Sequence, residues 1–161
     1  MLPTLIKPII PSDDPVVCEI IRRVGIEYGA VGEGFGPSVP EVACMSKHYQ
    51  ISNNSQYLVA QINNIVVGGC GIAPFNNSPT TCELKKLFLL PESRGLALGQ
   101  QLVTQSLNFA KAQGFKTCYL DTLSNMTAAI ALYEKLGFVH QNAPLAGTQH
   151  NACDVWMVAT L

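Results

Sequence analysis

One segment constrains the fold of this chain more than any other. Leu87-Phe88-Leu89-Leu90 reads as the end of a strand, and Pro91 stops it. A helical pattern then carries Leu98, Leu102, Val103, Phe109 and Ala110 on one face and ends at Gly114. Glycine is common just past a helix end. Between strand and helix lies Glu92-Ser93-Arg94-Gly95-Leu96-Ala97, a turn rich in small residues. Lys116 to Thr122 follows as a second strand. A strand, a helix and a parallel strand in one sheet connect as a right-handed crossover.

The flanking sequence extends that sheet. Thr4 to Ile10 reads as a strand ended by Pro11. Ser12-Asp13-Asp14 opens a helix that runs to about Tyr28, with Val17, Ile20, Ile21 and Val24 at helical spacing. Gly29 to Pro37 is a glycine-rich loop, and Pro40 to about Tyr49 a short helix. Tyr57 to Ile62 and Ile65 to Ala73 flank Asn63-Asn64, which suits a tight hairpin because Asn tolerates positive φ. Pro74 to Pro79 is a turn, and Cys82 to Leu90 is the strand that ends at Pro91. After Thr122, Met126 to Leu136 reads as a helix stopped by Gly137. Phe138 to Gln141 and Ala152 to Thr160 read as closing strands. Within the strand Cys82–Leu90, simple alternation would put Glu83, Lys85, Leu87 and Leu89 on one face. Leu84, Lys86 and Phe88 would take the other face. The expectation is a single α/β domain over residues 1–161. Its central sheet is mixed and mostly antiparallel, with about seven strands flanked by about four helices.

Composition excludes several classes. Only 13% of the residues are charged, against about 25% in a typical soluble domain. No acidic or basic residue lies between His48 and Cys82. The stretch is nevertheless broken by Ser52-Asn53-Asn54-Ser55, Asn63-Asn64 and Asn76-Asn77. It cannot supply the ~20 apolar residues of a membrane span. The amino-terminal sequence, cut by Pro3, Pro8 and Pro11, does not read as a signal peptide. The expectation is a cytoplasmic protein with no membrane partner. A net charge of −1 gives no basic patch for nucleic acid. Six cysteines at 18, 44, 70, 82, 118 and 153 form no close pair, and read as reduced thiols. His48, His140 and His150 show no ligand spacing with them, so no metal is expected.

The turn before Leu98 carries chemistry. Gly95, Ala97 and Gly99 let a ligand approach the backbone. The helix start offers unpaired N–H groups and a partial positive charge, which suits a phosphate. Arg94 could add a charged hydrogen bond. No Lys-Ser or Lys-Thr follows the glycines, so this is not a nucleotide phosphate loop. Gly95-x-Ala97-x-Gly99 does not fit the dinucleotide fingerprint either.

Arg94-Gly95-Leu96-Ala97-Leu98-Gly99 resembles the acyl-CoA motif of the GCN5-related N-acetyltransferases, commonly Q/R-x-x-G-x-G/A. Ala129-Ile130-Ala131-Leu132-Tyr133-Glu134-Lys135-Leu136-Gly137-Phe138 is similar to the same family's "AI-LYEKLGF" signature. The two stand in the family's order and spacing, and the motif resemblance covers roughly residues 82–142. It implies a V-shaped split between the fourth and fifth strands, with acetyl-CoA lying in it as co-substrate. The pyrophosphate would rest on Arg94, Gly95, Leu96, Ala97, Leu98, Gly99 and Gln100. The backbone of Phe88 and Leu89 would pair with the pantetheine arm like an added strand. Two departures bear on this reading. Ala97 stands where the motif has its middle glycine, which implies weaker CoA binding. Met126 stands where many relatives have Asn, with Asn125 one residue earlier as the remaining candidate contact.

The implied reaction is acetyl transfer to a primary amine of a small molecule or peptide. An alternative is a non-catalytic acyl-CoA-binding or sensing module of the same fold. Tyr133 is the candidate general acid and thiol contact, since a phenol stays protonated at neutral pH. Glu83 is the candidate base, directly or through water. His48 is a weaker one. By analogy with relatives, the acceptor pocket would come from the first two helices and their loop, with Tyr28, Glu33, Phe35 and Tyr49 as its residues. Relatives are often dimers, so a homodimer is the corresponding partner expectation.

Overall fold

The computed structural model describes residues 2–161. Its strands are β1 (Thr4–Pro8), β2 (Gln56–Ile62), β3 (Ile65–Pro74), β4 (Thr81–Leu89), β5 (Thr117–Thr122), β6 (Val139–Gln141) and β7 (Val155–Thr160). They form one sheet in the order β1-β2-β3-β4-β5-β7-β6. Every neighbouring pair is antiparallel except β4 and β5. The helices are α1 (Asp14–Glu27), α2 (Met45–His48), α3 (Leu98–Ala112) and α4 (Thr127–Lys135). No helix among the described residues is long and apolar enough to cross a membrane.

Local signals place most boundaries. Asn63 and Asn64 both take positive φ, 50° and 66°, and close the hairpin between Ile62 and Ile65. Gly114 and Gly137, at φ 93° and 97°, end α3 and α4. Three expected spans are shorter. β1 stops at Pro8 because Asp13 holds the chain into a turn, accepting from the Ile10 N–H (3.1 Å) and from Lys7 Nζ (2.8 Å). The helix expected over Pro40–Tyr49 is a 3-10 segment, Pro40–Cys44, followed by the four residues of α2. The two are broken at Cys44, whose ψ of 60° is not helical. β7 begins at Val155, not Ala152.

The sheet separates two cores. Leu98, Leu102, Val103, Leu107 and Ala110 of α3 pack with Tyr133 and Phe138 against one face. Val17, Ile20, Ile21 and Val24 of α1 pack with Met45 and Tyr49 against the other. Each fully buried aliphatic side chain contributes roughly 1.5–3 kcal/mol.

The sheet splits at its one parallel pair. β4 and β5 share only Thr81↔Thr117, Cys82↔Cys118 and Glu83↔Tyr119. Past Glu83 they diverge, and the cause lies in β4. Lys85 faces Gly71 but Phe88 faces Gly69, so β4 holds one residue too many there. Lys86 takes φ 55°, and its carbonyl accepts from the Tyr57 hydroxyl at 2.9 Å. This is a β-bulge, which bends its strand. It overturns the simple alternation. Leu87 and Leu89 join Cys82 and Leu84 against the α3 core, while Phe88 joins the α1 core.

Candidate active site

Two cavities meet at the bulge. The first, about 310 Å³, runs from the end of β4 to the start of α3. The second, about 70 Å³, lies on the side of β4 that faces the loop after α1 and the loop before β7. Both are lined by Leu87, Phe88 and Met126.

The larger cavity is built mainly from backbone and apolar side chains. Arg94, Gly95, Ala97, Leu98, Gly99 and Gln100 line one end. No side chain caps α3, and the first intrahelical bond runs from the Gln101 N–H to the Ala97 carbonyl. The N–H groups of Leu98, Gly99 and Gln100 therefore have no intrahelical acceptor. Gly95 has φ 80° and nothing within 4 Å of the position a Cβ would take. Leu96 is exposed at the tip of the turn. Ala97 sits in the left-handed region, φ 61° and ψ 14°, where a non-glycine residue costs about 1–2 kcal/mol. Val24, Leu89, Ala129 and Leu132 supply apolar wall. The cleft thus offers an anion-binding helix start at one end and a narrow apolar run beside β4.

Two residues expected at the cofactor also hold the cleft together. Arg94 makes a two-pronged pair with Glu27, at 2.6 and 2.8 Å. It also donates to the Leu89 carbonyl from Nε (3.1 Å) and Nη2 (2.8 Å). Its guanidinium stacks over Tyr28, 5.5 Å from the ring centre. Asn125 is exposed and donates to the Tyr28 carbonyl at 2.9 Å. Both tie the end of α1 to the far wall. Tyr28 consequently lines the larger cavity and not the smaller one.

The smaller cavity is built from side chains. Tyr133 lines it, buried and edge-on to Phe138 at 5.7 Å. Burial pushes its phenol well above the usual range, so it keeps its proton. Phe35 lines the same cavity. Glu33 is exposed and faces a separate surface depression with Glu41 and His48. Tyr49 is core. Its ring packs edge-on to Tyr57 at 5.5 Å, and a Cβ on Gly71 would lie 2.9 Å from it.

Glu83 is buried and lines neither cavity itself; its partners connect it to the smaller one. Its Oε2 lies 3.3 Å from His150 Nδ1. His150 Nδ1 donates to Asp121 Oδ1 at 2.8 Å. Asp121 Oδ2 accepts from the hydroxyls of Tyr119 (3.1 Å) and Thr148 (2.6 Å). Burial pushes the His150 imidazole down, but Asp121 and Glu83 outweigh it and raise its pKa to about 9. It is an imidazolium at neutral pH. The donor atoms of Glu83, Asp121 and His150 lie within 4.8 Å of one another, close enough to hold a cation. Beyond them, Lys85 and Lys86 reach Glu41 Oε1 at 3.3 and 3.5 Å. Burial raises the Glu41 carboxyl, yet Lys86 and Lys85 bring it to about 2. Sequence spacing did not reveal Asp121, His150, Lys86 or Cys153, although all line this cavity. The available signal was an acid in the otherwise buried strand Tyr-Leu-Asp-Thr, and it is weak alone.

Comparisons with known proteins agree with this geometry. The family model "Acetyltransferase (GNAT) family" matches residues 31–138. The chain is 38% identical over 152 residues to the uncharacterized N-acetyltransferase YjgM of Escherichia coli, covering 93% of this chain and 90% of the relative. A GNAT-family acetyltransferase structure from Staphylococcus aureus superposes with a TM-score of 0.83 at 18% identity, covering 98% of this chain and 99% of that one. The structure of yncA from Salmonella typhimurium, described as a putative acetyltransferase with its cofactor acetyl-CoA, superposes at 0.78 and 19% identity, covering 98% and 93%. The likeness in sequence, at 90% or more of both chains, establishes that this protein belongs to the GNAT family of acetyltransferases.

Proposed function

We propose that residues 1–161 act as one domain that moves an acetyl group from acetyl-CoA directly to a primary amine of a small molecule or peptide. The observation that carries this is the meeting of the two cavities at the bulge of β4. One side suits a phosphate-bearing, chain-like ligand, and the other is lined by Tyr133, Asp121 and His150, with Glu83 against His150. The acetyl-CoA in the Salmonella neighbour supports the choice of ligand.

Acetyl-CoA supplies an activated acyl thioester. The amides at the start of α3 hold its phosphates, and the exposed backbone edge of β4 near Phe88 and Leu89 aligns its arm. Glu83 takes the proton that the acceptor ammonium must lose, directly or through water. Tyr133 gives its proton to the sulfur that leaves. One C–N bond forms, one C–S bond breaks, and each proton has a named donor and acceptor.

The test is acetyl-CoA-dependent thiol release against a panel of primary amines, with products followed by mass. At least one amine is expected to support release. Binding of acetyl-CoA with release from none would overturn the reading. Tyr133→Phe is expected to lower turnover about tenfold or more with little change in stability. Unchanged turnover would remove Tyr133 from the mechanism.

A further inference from the structure

Among the described residues, four buried side-chain polar atoms lack a hydrogen-bond partner: the Tyr49 hydroxyl, Glu83 Oε2, Lys86 Nζ and His150 Nε2. Folded proteins pair nearly all such atoms, so each exception needs a reason. These four are not scattered. All sit around the acceptor side of β4, joined through Glu41 and Asp121. Lys86 and His150 line the acceptor cavity itself.

Their chemistry is complementary in sign. The Lys86 side chain is 1% exposed, and its nearest ion-pair oxygen, on Glu41, is 3.5 Å away. His150 uses Nδ1 on the two carboxylates, which leaves Nε2 facing Gly36, 3.6 Å from where a Cβ there would stand. As an imidazolium, it has an N–H donor at that atom. Lys86 Nζ and His150 Nε2 therefore make no hydrogen bond, and Glu83 Oε2 accepts none, although Lys86 and Glu83 keep ion-pair contacts with Glu41 and with His150 Nδ1. Fixed charge is already balanced, since Glu41, Glu83 and Asp121 oppose Lys85, Lys86 and His150. The cavity has no surplus negative charge for a polycation, and no surplus positive charge for a simple anion. A ligand with one charge of each sign would satisfy the orphaned atoms and keep the balance. Glu83 meets the His150 ring at Nδ1, 3.3 Å away, and the orphaned Nε2 lies across the same ring, so the imidazole sets the spacing of the two charged ends.

We propose, resting on the transferase reading above, that the acceptor is an α-amino-acid-type zwitterion. Its ammonium is taken by Glu83, and its carboxylate by the Lys86 and His150 donors. Removing a partner from a buried charged donor is costly, and sites built to hydrogen-bond a group discriminate strongly against ligands without it. Lys86 and His150 act here as specificity residues.

The test uses the whole chain with acetyl-CoA and matched acceptors: α-amino acids, their methyl esters, and the decarboxylated amines with the same side chains. The free acid is expected to show kcat/KM at least about tenfold above its ester and amine. In Lys86→Met that ratio is expected to fall toward one through a higher KM for the acid. The wild-type comparison stands even if the variant folds poorly. If amines, esters or polyamines react as well as the acids, the zwitterion assignment is overturned and the transferase reading survives. A ratio unchanged in a folded Lys86→Met overturns the role of Lys86. Thiol release from none of these acceptors overturns the zwitterion assignment, and the wider panel of primary amines then decides the transferase reading.

Discussion

The cleft along α3 and the acceptor cavity share Leu87, Phe88 and Met126, but they are made of different material. The cleft's binding end is main chain from one contiguous stretch, with helix amides as its polar groups. The acceptor cavity takes its polar groups from β4, β5 and the loop before β7, and closes with the loop after α1. A site of backbone amides needs little net charge, and this half of the protein is nearly balanced. Residues 81–161 carry six basic and five acidic groups. A site of buried side-chain charges stands only while each charge keeps its partner. The region built from backbone amides is thus written locally, while the region built from side chains is spread over the fold.

The sharpest way to break that division is Asp121→Asn. Asp121 accepts from Tyr119, Thr148 and His150, and an amide cannot replace it toward an imidazolium. The substitution is expected to cost about 3–4 kcal/mol of stability in denaturant titrations and to abolish transfer. Acetyl-CoA affinity by calorimetry should stay within about twofold. A parallel loss of that affinity would show that the two regions are one unit.

A milder probe is alkali. The folded pKa of His150 is raised to about 9 from 6.5. Its stabilising contribution is therefore complete below about pH 6.5 and lost as pH rises through about 9. Unfolding between about pH 7 and about pH 10 should show a fall of the order of 3 kcal/mol, absent in His150→Gln. An equal fall in that variant would place the cause elsewhere.

The smallest expected effect lies on the other side. Ala97→Gly removes a left-handed residue that costs about 1 kcal/mol. It should stabilise the fold by that amount and tighten acetyl-CoA up to about fivefold, leaving acceptor KM unchanged. No tightening would mean that the Ala97 methyl does not restrain the turn.

Legibility followed the same division. The strand ends, α3, α4 and the hairpin could be read because Pro91, Gly114, Gly137 and Asn63-Asn64 act through local backbone preference. The motif turn could be read for the same reason. The bulge could not. Glu-Leu-Lys-Lys-Leu-Phe looks like plain alternation, and the left-handed Lys86 is fixed by Tyr57 two strands away. Glu83 was legible as an acid on the strand beside the split. Its partners Asp121 and His150 lie far along the chain and meet it only through the sheet and the loop before β7. Tyr49 was misleading for a related reason. An aromatic near a glycine loop resembles a pocket residue, but this ring fills the space above Gly71.

The extra residue in β4 has a consequence for what the fold requires. Take Lys86 away, and Leu84, Lys85, Leu87, Phe88 and Leu89 fall into ordinary alternation on the very sides they now occupy. Packing has no use for the insertion. What it provides is the departure of β4 from β5, and with it the opening into which both cavities look. The opening beside β4 thus coincides with a single added residue in an otherwise regular strand.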